Sequence, residues 1–149
     1  MKKLLTLIVL CAGISFSGQA QDYDAAVGLR VGWELGLTGK MAIGDNMGEA
    51  IVNLQSNAIN ITGLYEIYNT LDEIEGVYWY YGGGAHVGFW NSGYIGGGGT
   101  WIGIDGILGA EYTLKDYPIN FSVDFKPVIN LVNNTGYGNG GAVSVRYTF

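Results

Sequence analysis

Apolar and polar residues alternate one by one along most of the chain after residue 20. A β-strand places successive side chains on opposite faces, so this period predicts strands with one apolar and one polar face. Glycine, asparagine and aspartate provide turn signals between several of these segments. The predicted strands are residues 25–33, 36–43, 49–55, 59–68, 77–90, 101–114, 119–131 and 140–149.

Two segments leave an alternative open. Residues 25–43 suit either a tight hairpin around Glu34 to Gly36 or one bent strand. Residues 64–76, LYEIYNTLDEIEG, also carry apolar residues at helical spacing, and Thr70 with Glu73 has the form of a capping box. A single helical turn at 70–75 would satisfy both patterns, whereas a full helix would reduce the number of strands.

The two faces of the predicted strands differ in chemistry. In residues 119–131, Phe121, Val123 and Phe125 share one face, while Ser122 and other polar residues occupy the opposite face. If the strands close into a barrel with its apolar face outward, the charged face lines an interior that side chains fill. The predicted polar network of this lumen comprises Arg30, Glu34, Lys40, Glu49, Glu66, His86, Asp105, Glu111, Asp124, Lys126 and Arg146.

A soluble β-sandwich alternates in the same way, with its apolar face inward. Large aromatic residues near the strand ends favour a membrane barrel instead, because aromatic girdles mark both membrane interfaces. An even strand number would place both termini at one rim and the glycine-rich segments 91–99 and 133–141, as long loops, at the other. The expected girdles are Trp79, Tyr81, Tyr112, Phe121, Tyr147 and Phe149 at the terminal rim, with Trp33 and Phe89 opposite.

The first twenty residues have the features of a secretory signal peptide. Lys2 and Lys3 form a charged region, residues 4–14 an apolar stretch, and Gly18-Gln19-Ala20 a small-residue cleavage site. The apolar stretch is too short for a membrane-spanning anchor, which is the alternative. We therefore expect cleavage after Ala20, with residues 1–20 as signal peptide and 21–149 as a single barrel domain.

Composition narrows the function classes. Without Lys2 and Lys3, 5 basic residues face 13 acidic ones, a net charge of −8, which argues against a nucleic-acid partner. The one cysteine, Cys11, lies in the signal peptide, so the mature chain has no disulfide and no thiolate metal site. The aromatic and β-branched content argues against disorder.

Several segments together resemble a known family. The signal peptide, the alternation, GLYEIYN at 63–69, WYYGGGAHVGFW at 79–90, IGIDGILGAEYTL at 102–114 and the aromatic C-terminus are similar to small outer-membrane β-barrel proteins of Gram-negative bacteria, the porin-like OmpA/OmpX type. The resemblance implies an all-β fold, an eight-stranded antiparallel up-and-down transmembrane β-barrel in the bacterial outer membrane. It implies two partners, membrane lipid and, during biogenesis, the barrel-assembly machinery, and it names no surface partner.

In that family, the assembly machinery recognises a final strand that ends in phenylalanine, with apolar residues at every second position before it. The residues here that match this C-terminal assembly signal are Val143, Val145, Tyr147 and Phe149.

Candidate chemistry is sparse. YYGGGAHVG at 80–88 lacks the Lys-Ser/Thr of a phosphate loop, so its glycines fit barrel curvature better. If a hairpin closes around 91–100, His86 faces Asp105 and could act as an oriented base, but no serine of the same parity lies nearby in sequence. One imidazole without a thiol makes a poor metal site. We expect no enzyme activity, no catalytic residue, no cofactor and no metal.

The sequence thus predicts an integral outer-membrane barrel with a structural or surface-interaction role and a largely plugged polar lumen. The alternative is a narrow channel for small solutes, and a lipid-active barrel enzyme ranks third.

Overall fold

The computed structural model describes residues 23–71, 73–90, 99–133 and 135–149. None of these residues forms a helix with the length and apolar character needed to cross a membrane. The chain forms eight strands: β1 (Ala25–Gly32), β2 (Gly36–Ile43), β3 (Asn46–Gln55), β4 (Ala58–Thr70), β5 (Val77–Trp90), β6 (Gly99–Thr113), β7 (Ile119–Val132) and β8 (Gly136–Thr148).

Each strand pairs antiparallel with its neighbour in sequence, and β8 returns to pair with β1, so the sheet is a closed barrel. The closing register places Arg30 opposite Ser144 and Gly28 opposite Arg146. Beyond the ladder, the Phe149 amide donates to the Ala25 carbonyl at 2.7 Å. The predicted all-β, eight-stranded, up-and-down antiparallel barrel is confirmed.

The alternative at residues 25–43 is settled in favour of the hairpin. β1 and β2 pair from Ala25 with Met41 to Arg30 with Gly36, which leaves a turn of three residues, 33–35. A tight turn is favoured here because both strands then keep their apolar residues on the outer face of the barrel.

The predicted helical turn at 70–75 does not form a helix among the described residues. β4 continues to Thr70, and a turn follows in which the Ile74 amide donates to the Leu71 carbonyl at 3.0 Å. The helical spacing in this segment is overridden by the pairing of β4 with β5, which extends from Ala58 with Trp90 to Thr70 with Tyr78.

The expectation of a long loop at 133–141 is wrong. β8 begins at Gly136, and residues 136–141 pair with β7, so the connection is only 133–135. Asn133 there has a positive φ of 62°, a conformation that asparagine tolerates better than most residues. The other glycine-rich segment, 91–99, lies outside the described residues except for Gly99, where β6 begins.

The barrel has two ends, which we call the terminus end and the cup end. The terminus end carries Tyr23, Phe149 and the turns 44–45, 71–76 and 114–118. The cup end carries the connections 33–35, 56–57 and 133–135 together with the end of β5 and the start of β6, and it contains a cavity. The cup-end connections that join described strands, 33–35, 56–57 and 133–135, have two or three residues each, so loop length does not distinguish the two ends there.

The barrel has its apolar residues outside and its polar residues inside. Val123 is 57% exposed, whereas its neighbour Ser122 is 4% exposed. Among the described residues, 19 buried side chains are polar or charged and 9 are apolar, the reverse of a water-soluble protein. The matched C-terminal residues also point outward and are exposed: Val143, Val145, Tyr147 and Phe149.

Candidate functional site: the barrel interior

A buried lysine organises the lower half of the interior, towards the terminus end. Lys40 Nζ on β2 lies 2.8 Å from Glu66 Oε2 and 3.2 Å from Glu111 Oε2. It also donates to the Tyr68 hydroxyl at 2.6 Å, and that hydroxyl donates to Glu111 Oε2 at 2.7 Å. The ammonium group lies 3.8 Å from the ring centre of Tyr80, close enough for a cation–π contact.

A buried arginine crosses the same region from β8. Arg146 Nη2 donates to Glu49 Oε1 on β3 at 2.7 Å, and Nη1 donates to Ser122 Oγ on β7 at 2.7 Å. Its Nε donates to Thr38 Oγ1 on β2 at 3.2 Å, and Thr38 in turn donates to Glu49. One guanidinium therefore connects three strands across the lumen, a geometry suited to its planar set of donors.

These two cations and three carboxylates form what we call the central network: Lys40, Glu49, Glu66, Glu111 and Arg146. All five side chains are buried. An isolated ion in such a place would cost several kcal/mol, so the charges are tolerable only because each faces an opposite partner. The network leaves the middle of the barrel filled with side chains.

Buried apolar side chains also fill part of the interior. Ile51, Leu64, Tyr80 and Ile107 form a buried cluster beside the central network. A second cluster towards the terminus end consists of Tyr23, Ala26, Ala42 and Met47, and Tyr68 packs against both clusters. Tyr23 donates its hydroxyl proton to Glu111 Oε1 at 2.9 Å, which joins this second cluster to the charges.

The upper half of the interior is open. A cavity of about 390 Å³ lies inside the cup end, and we call it the cup. Its polar lining includes Arg30, Glu34, Asn60, His86, Lys126 and Asn130.

Two ion pairs line the cup or lie directly behind its lining. Arg30 makes two hydrogen bonds to the carboxylate of Asp124, one from each terminal guanidinium nitrogen. Lys126 Nζ lies 3.2 Å from Asp105 Oδ1. The cations of the cup are thus neutralised by the protein itself.

The contact between His86 and Asp105 forms, but not through the predicted direct pairing. In the observed register His86 lies opposite Gly103, and Asp105 lies opposite Gly84. The imidazole leans over Gly103, which has no side chain to obstruct it, and His86 Nδ1 reaches Asp105 Oδ2 at 2.6 Å. His86 Nε2 lies 2.8 Å from Asn130 Oδ1. The imidazole therefore bridges the side chains of Asp105 and Asn130, whereas a catalytic base would bridge a carboxylate and a hydroxyl.

Ten of the eleven side chains proposed for the lumen are buried, and the eleventh, Glu34, is half-buried at the rim of the cup. The structure brings them together in two groups, the central network and the cup, rather than in one continuous set. Glu34 lies in the turn after β1, where Asn53 and Gln55 donate amide hydrogens to its carboxylate.

An indole pair at the inner rim did not feature among the predicted site residues. Trp90 and Trp101 stack with ring centres 5.2 Å apart and planes tilted by 21°. Both have inward parity, because Trp90 follows His86 by four residues and Trp101 precedes Asp105 by four. Strand parity assigns Trp90 to the lumen, and the same parity could have added Trp101.

Aromatic residues outside the barrel mark the terminus end. Trp79 stacks on Tyr81 with ring centres 5.7 Å apart, and Tyr147 meets Phe149 edge to face at 5.0 Å. At the cup end, Trp33 is 83% exposed and Phe89 is also exposed.

Among the described residues, no group of three His, Cys, Asp or Glu side chains is arranged to hold a metal ion.

Comparisons of the chain with protein-family models, with curated proteins and with solved structures gave no match. The class that the geometry defines is therefore a closed eight-stranded antiparallel β-barrel, consistent with small barrels of the outer-membrane type.

Proposed function

We propose that this protein is an integral β-barrel of the bacterial outer membrane with a structural or surface-interaction role. The apolar outer surface supports this proposal most strongly. Large apolar side chains on all eight strands are exposed, for example Leu29 at 58%, Leu108 at 55% and Val143 at 53%. Soluble monomers rarely expose a continuous apolar patch larger than a few hundred Å².

Lipid is the solvent that such a surface suits. Closure of the sheet pairs the backbone of every strand with two neighbours, which is the condition for a sheet to reside in hydrocarbon. The exposed aromatic residues near the ends would lie at the two interfaces, where indole and phenol rings are favoured.

The filled interior supports a structural or surface role over transport. Between the cup and the terminus end lie the central network and the two apolar clusters, so a solute would have to displace buried ion pairs. A network that links β2, β3, β4, β6 and β8 through side chains also stiffens the barrel. Surface contacts would be made from the cup end.

A narrow channel for small solutes is the second candidate, and the cup favours it. In a channel, the cavity of about 390 Å³ would be the cup-end part of the path. Single-channel recording in a planar bilayer separates the candidates. We expect no steady conductance from the structural barrel, whereas discrete openings that Lys40→Met alters would establish the channel.

The membrane assignment is tested by fractionation and by gel mobility. We expect the protein in the outer-membrane fraction, resistant to trypsin, and migrating differently before and after boiling because the closed barrel survives detergent at room temperature. A soluble periplasmic pool with the same mobility in both states would contradict the proposal.

A further inference from the structure

The cup has the composition of a site for a neutral, polyhydroxylated ligand. Its cations are already paired, Arg30 with Asp124 and Lys126 with Asp105. Among the described lining residues, Glu34 is the carboxylate without a cationic partner, and it accepts hydrogen bonds from two side-chain amides. No unpaired cation among the described lining residues is left to hold a phosphate or a carboxylate, so anionic ligands fit poorly.

The rest of the lining combines an aromatic surface with amides. Trp101 lines the cavity and is held by stacking on Trp90 at 5.2 Å. The ring of Trp101 lies over Gly88, and that of Trp90 over Gly99, so glycines on the facing strand make room for both indoles. Aromatic rings held in this way offer a rigid apolar face that loses little entropy when a ligand stacks on them.

Asn60 gives a second and independent indication. The residue is 9% exposed and lines the cavity, and its Oδ1, which is turned away from solvent, accepts no hydrogen bond in the described structure. A buried amide oxygen without a donor is destabilising, and rotation of the Asn60 side chain towards the cavity would let a ligand hydroxyl satisfy it. Asn130 and Asn139 add further amides to the lining.

We propose that the cup binds a saccharide through stacking on Trp101 and hydrogen bonds to Asn60 and its neighbouring amides. A pyranose ring has an apolar face of C–H groups and a rim of hydroxyls that both donate and accept, which matches an indole surrounded by amides. The cavity volume of about 390 Å³ falls in the range of about 300–1,000 Å³ typical of small-molecule sites. The proposal concerns the interior of the barrel. Its test in detergent rests on the proposed membrane assignment, which the heat-dependent mobility of the folded barrel checks separately.

The test is titration calorimetry on the full mature chain, refolded in tetraethylene glycol monooctyl ether, a detergent without a sugar head group. The probes are D-glucose, D-galactose, N-acetylglucosamine and maltotriose. We expect saturable binding of at least one probe. Affinity that rises from glucose to maltotriose would identify the end of a glycan chain as the ligand, and equal affinity would identify a free sugar.

Variants locate the site. Trp101→Ala should weaken binding about tenfold through loss of stacking. Asn60→Ala should weaken it about fivefold through loss of one hydrogen bond, and this variant should still fold because the amide oxygen it removes has no partner. Trp79→Ala, on the outer surface near the terminus end, is the control and should bind like the parent chain.

Three results would overturn the proposal. The first is the absence of saturable binding by all four sugars to protein that shows the heat-dependent mobility of a folded barrel. The second is binding that neither Trp101→Ala nor Asn60→Ala changes. The third is binding of tetramethylammonium or inorganic phosphate, sensitive to Trp101→Ala, in place of the sugars; this would make the cup an ion site.

Discussion

The two ends of this barrel share one wall and one pattern of alternation, yet one interior is sealed and the other is hollow. Towards the terminus end the inward positions carry large side chains such as Met47, Tyr68 and Tyr80. Towards the cup end the inward positions of β8 carry small residues that line the cavity, Gly138, Gly140 and Ala142. Parity decides which residues face inward, and residue volume decides whether the interior is open.

The charges differ between the ends as well. In the central network each ion is surrounded by several partners from different strands, as Lys40 is by Glu66 and Glu111. In the cup, each cation has one carboxylate partner close to open space, as Lys126 has Asp105. The first arrangement links five strands, and the second pairs groups that border the cavity or lie behind its lining.

The largest expected effect is loss of the buried lysine. Lys40→Met would leave Glu49, Glu66 and Glu111 close together without their shared cation, and we expect a loss of roughly 3–5 kcal/mol in the free energy of unfolding. Urea unfolding of the refolded barrel in detergent measures this loss of free energy.

The matched control for Lys40→Met is Lys126→Met in the cup. There Asp105 keeps its contact with His86 and lies next to the cavity, so the loss should be smaller. Equal losses of stability from the two variants would contradict the distinction between a sealed end and a hollow end.

The second prediction concerns the outer surface between the two rims. Val123→Arg should make the free energy of membrane insertion less favourable by ~2–4 kcal/mol if the site lies near the bilayer midplane. Tyr117→Arg, in the exposed turn at the terminus end, should have an effect of about 0–1 kcal/mol because the penalty falls towards the interface. Refolding into lipid vesicles at increasing urea gives both values, and comparable penalties would show that depth in lipid does not matter.

Much of this architecture could be predicted from the sequence because parity is a local property. The strand count, the antiparallel order and the inward charges follow from residues at every second position. The register between two paired strands is less local, because it depends on residues of both strands. The diagonal contact of His86 with Asp105 depends on how β5 and β6 align, and the short connection at 133–135 depends on glycines pairing with β7.

The division of the interior into a network and a cup could not be predicted in the same way. Arg146 meets Glu49 across 97 positions of sequence, and Arg30 meets Asp124 across 94. Such partners are chosen by side-chain length and by the stagger of the closed sheet, and neither is visible in the period of one strand.

The third prediction compares one added methyl group at each end. At Gly109, a Cβ would meet the buried ring of Tyr80 and the Asp124 side chain, so Gly109→Ala should cost about 1–3 kcal/mol through overpacking. At Gly138, a Cβ would come within 3.1 Å of the Val128 side chain alone, a close contact partly offset because glycine weakens a strand, and Gly138→Ala should change the stability by less than about 1 kcal/mol. Unfolding midpoints in urea rank the two, and a reversed order would contradict the volume argument.

The smallest effect is expected at the surface of the sealed end. Glu75 and Lys115 form an ion pair between two turns, both side chains well exposed, and the hydrogen bond and charge of Lys115 lower the pKa of Glu75. A lowered carboxyl pKa adds stability above its unfolded value, and this stability is lost as the pH falls through the folded pKa. Because solvent screens exposed pairs, Lys115→Gln should leave the unfolding midpoint unchanged at pH 7 and at pH 3. Lys40→Met, measured in parallel, is the positive control, which shows that the assay detects a loss of stability.

A shift of the unfolding midpoint of Lys115→Gln at pH 7 that disappears at pH 3 would instead mean that the turns, and not only the central network, hold the terminus end closed.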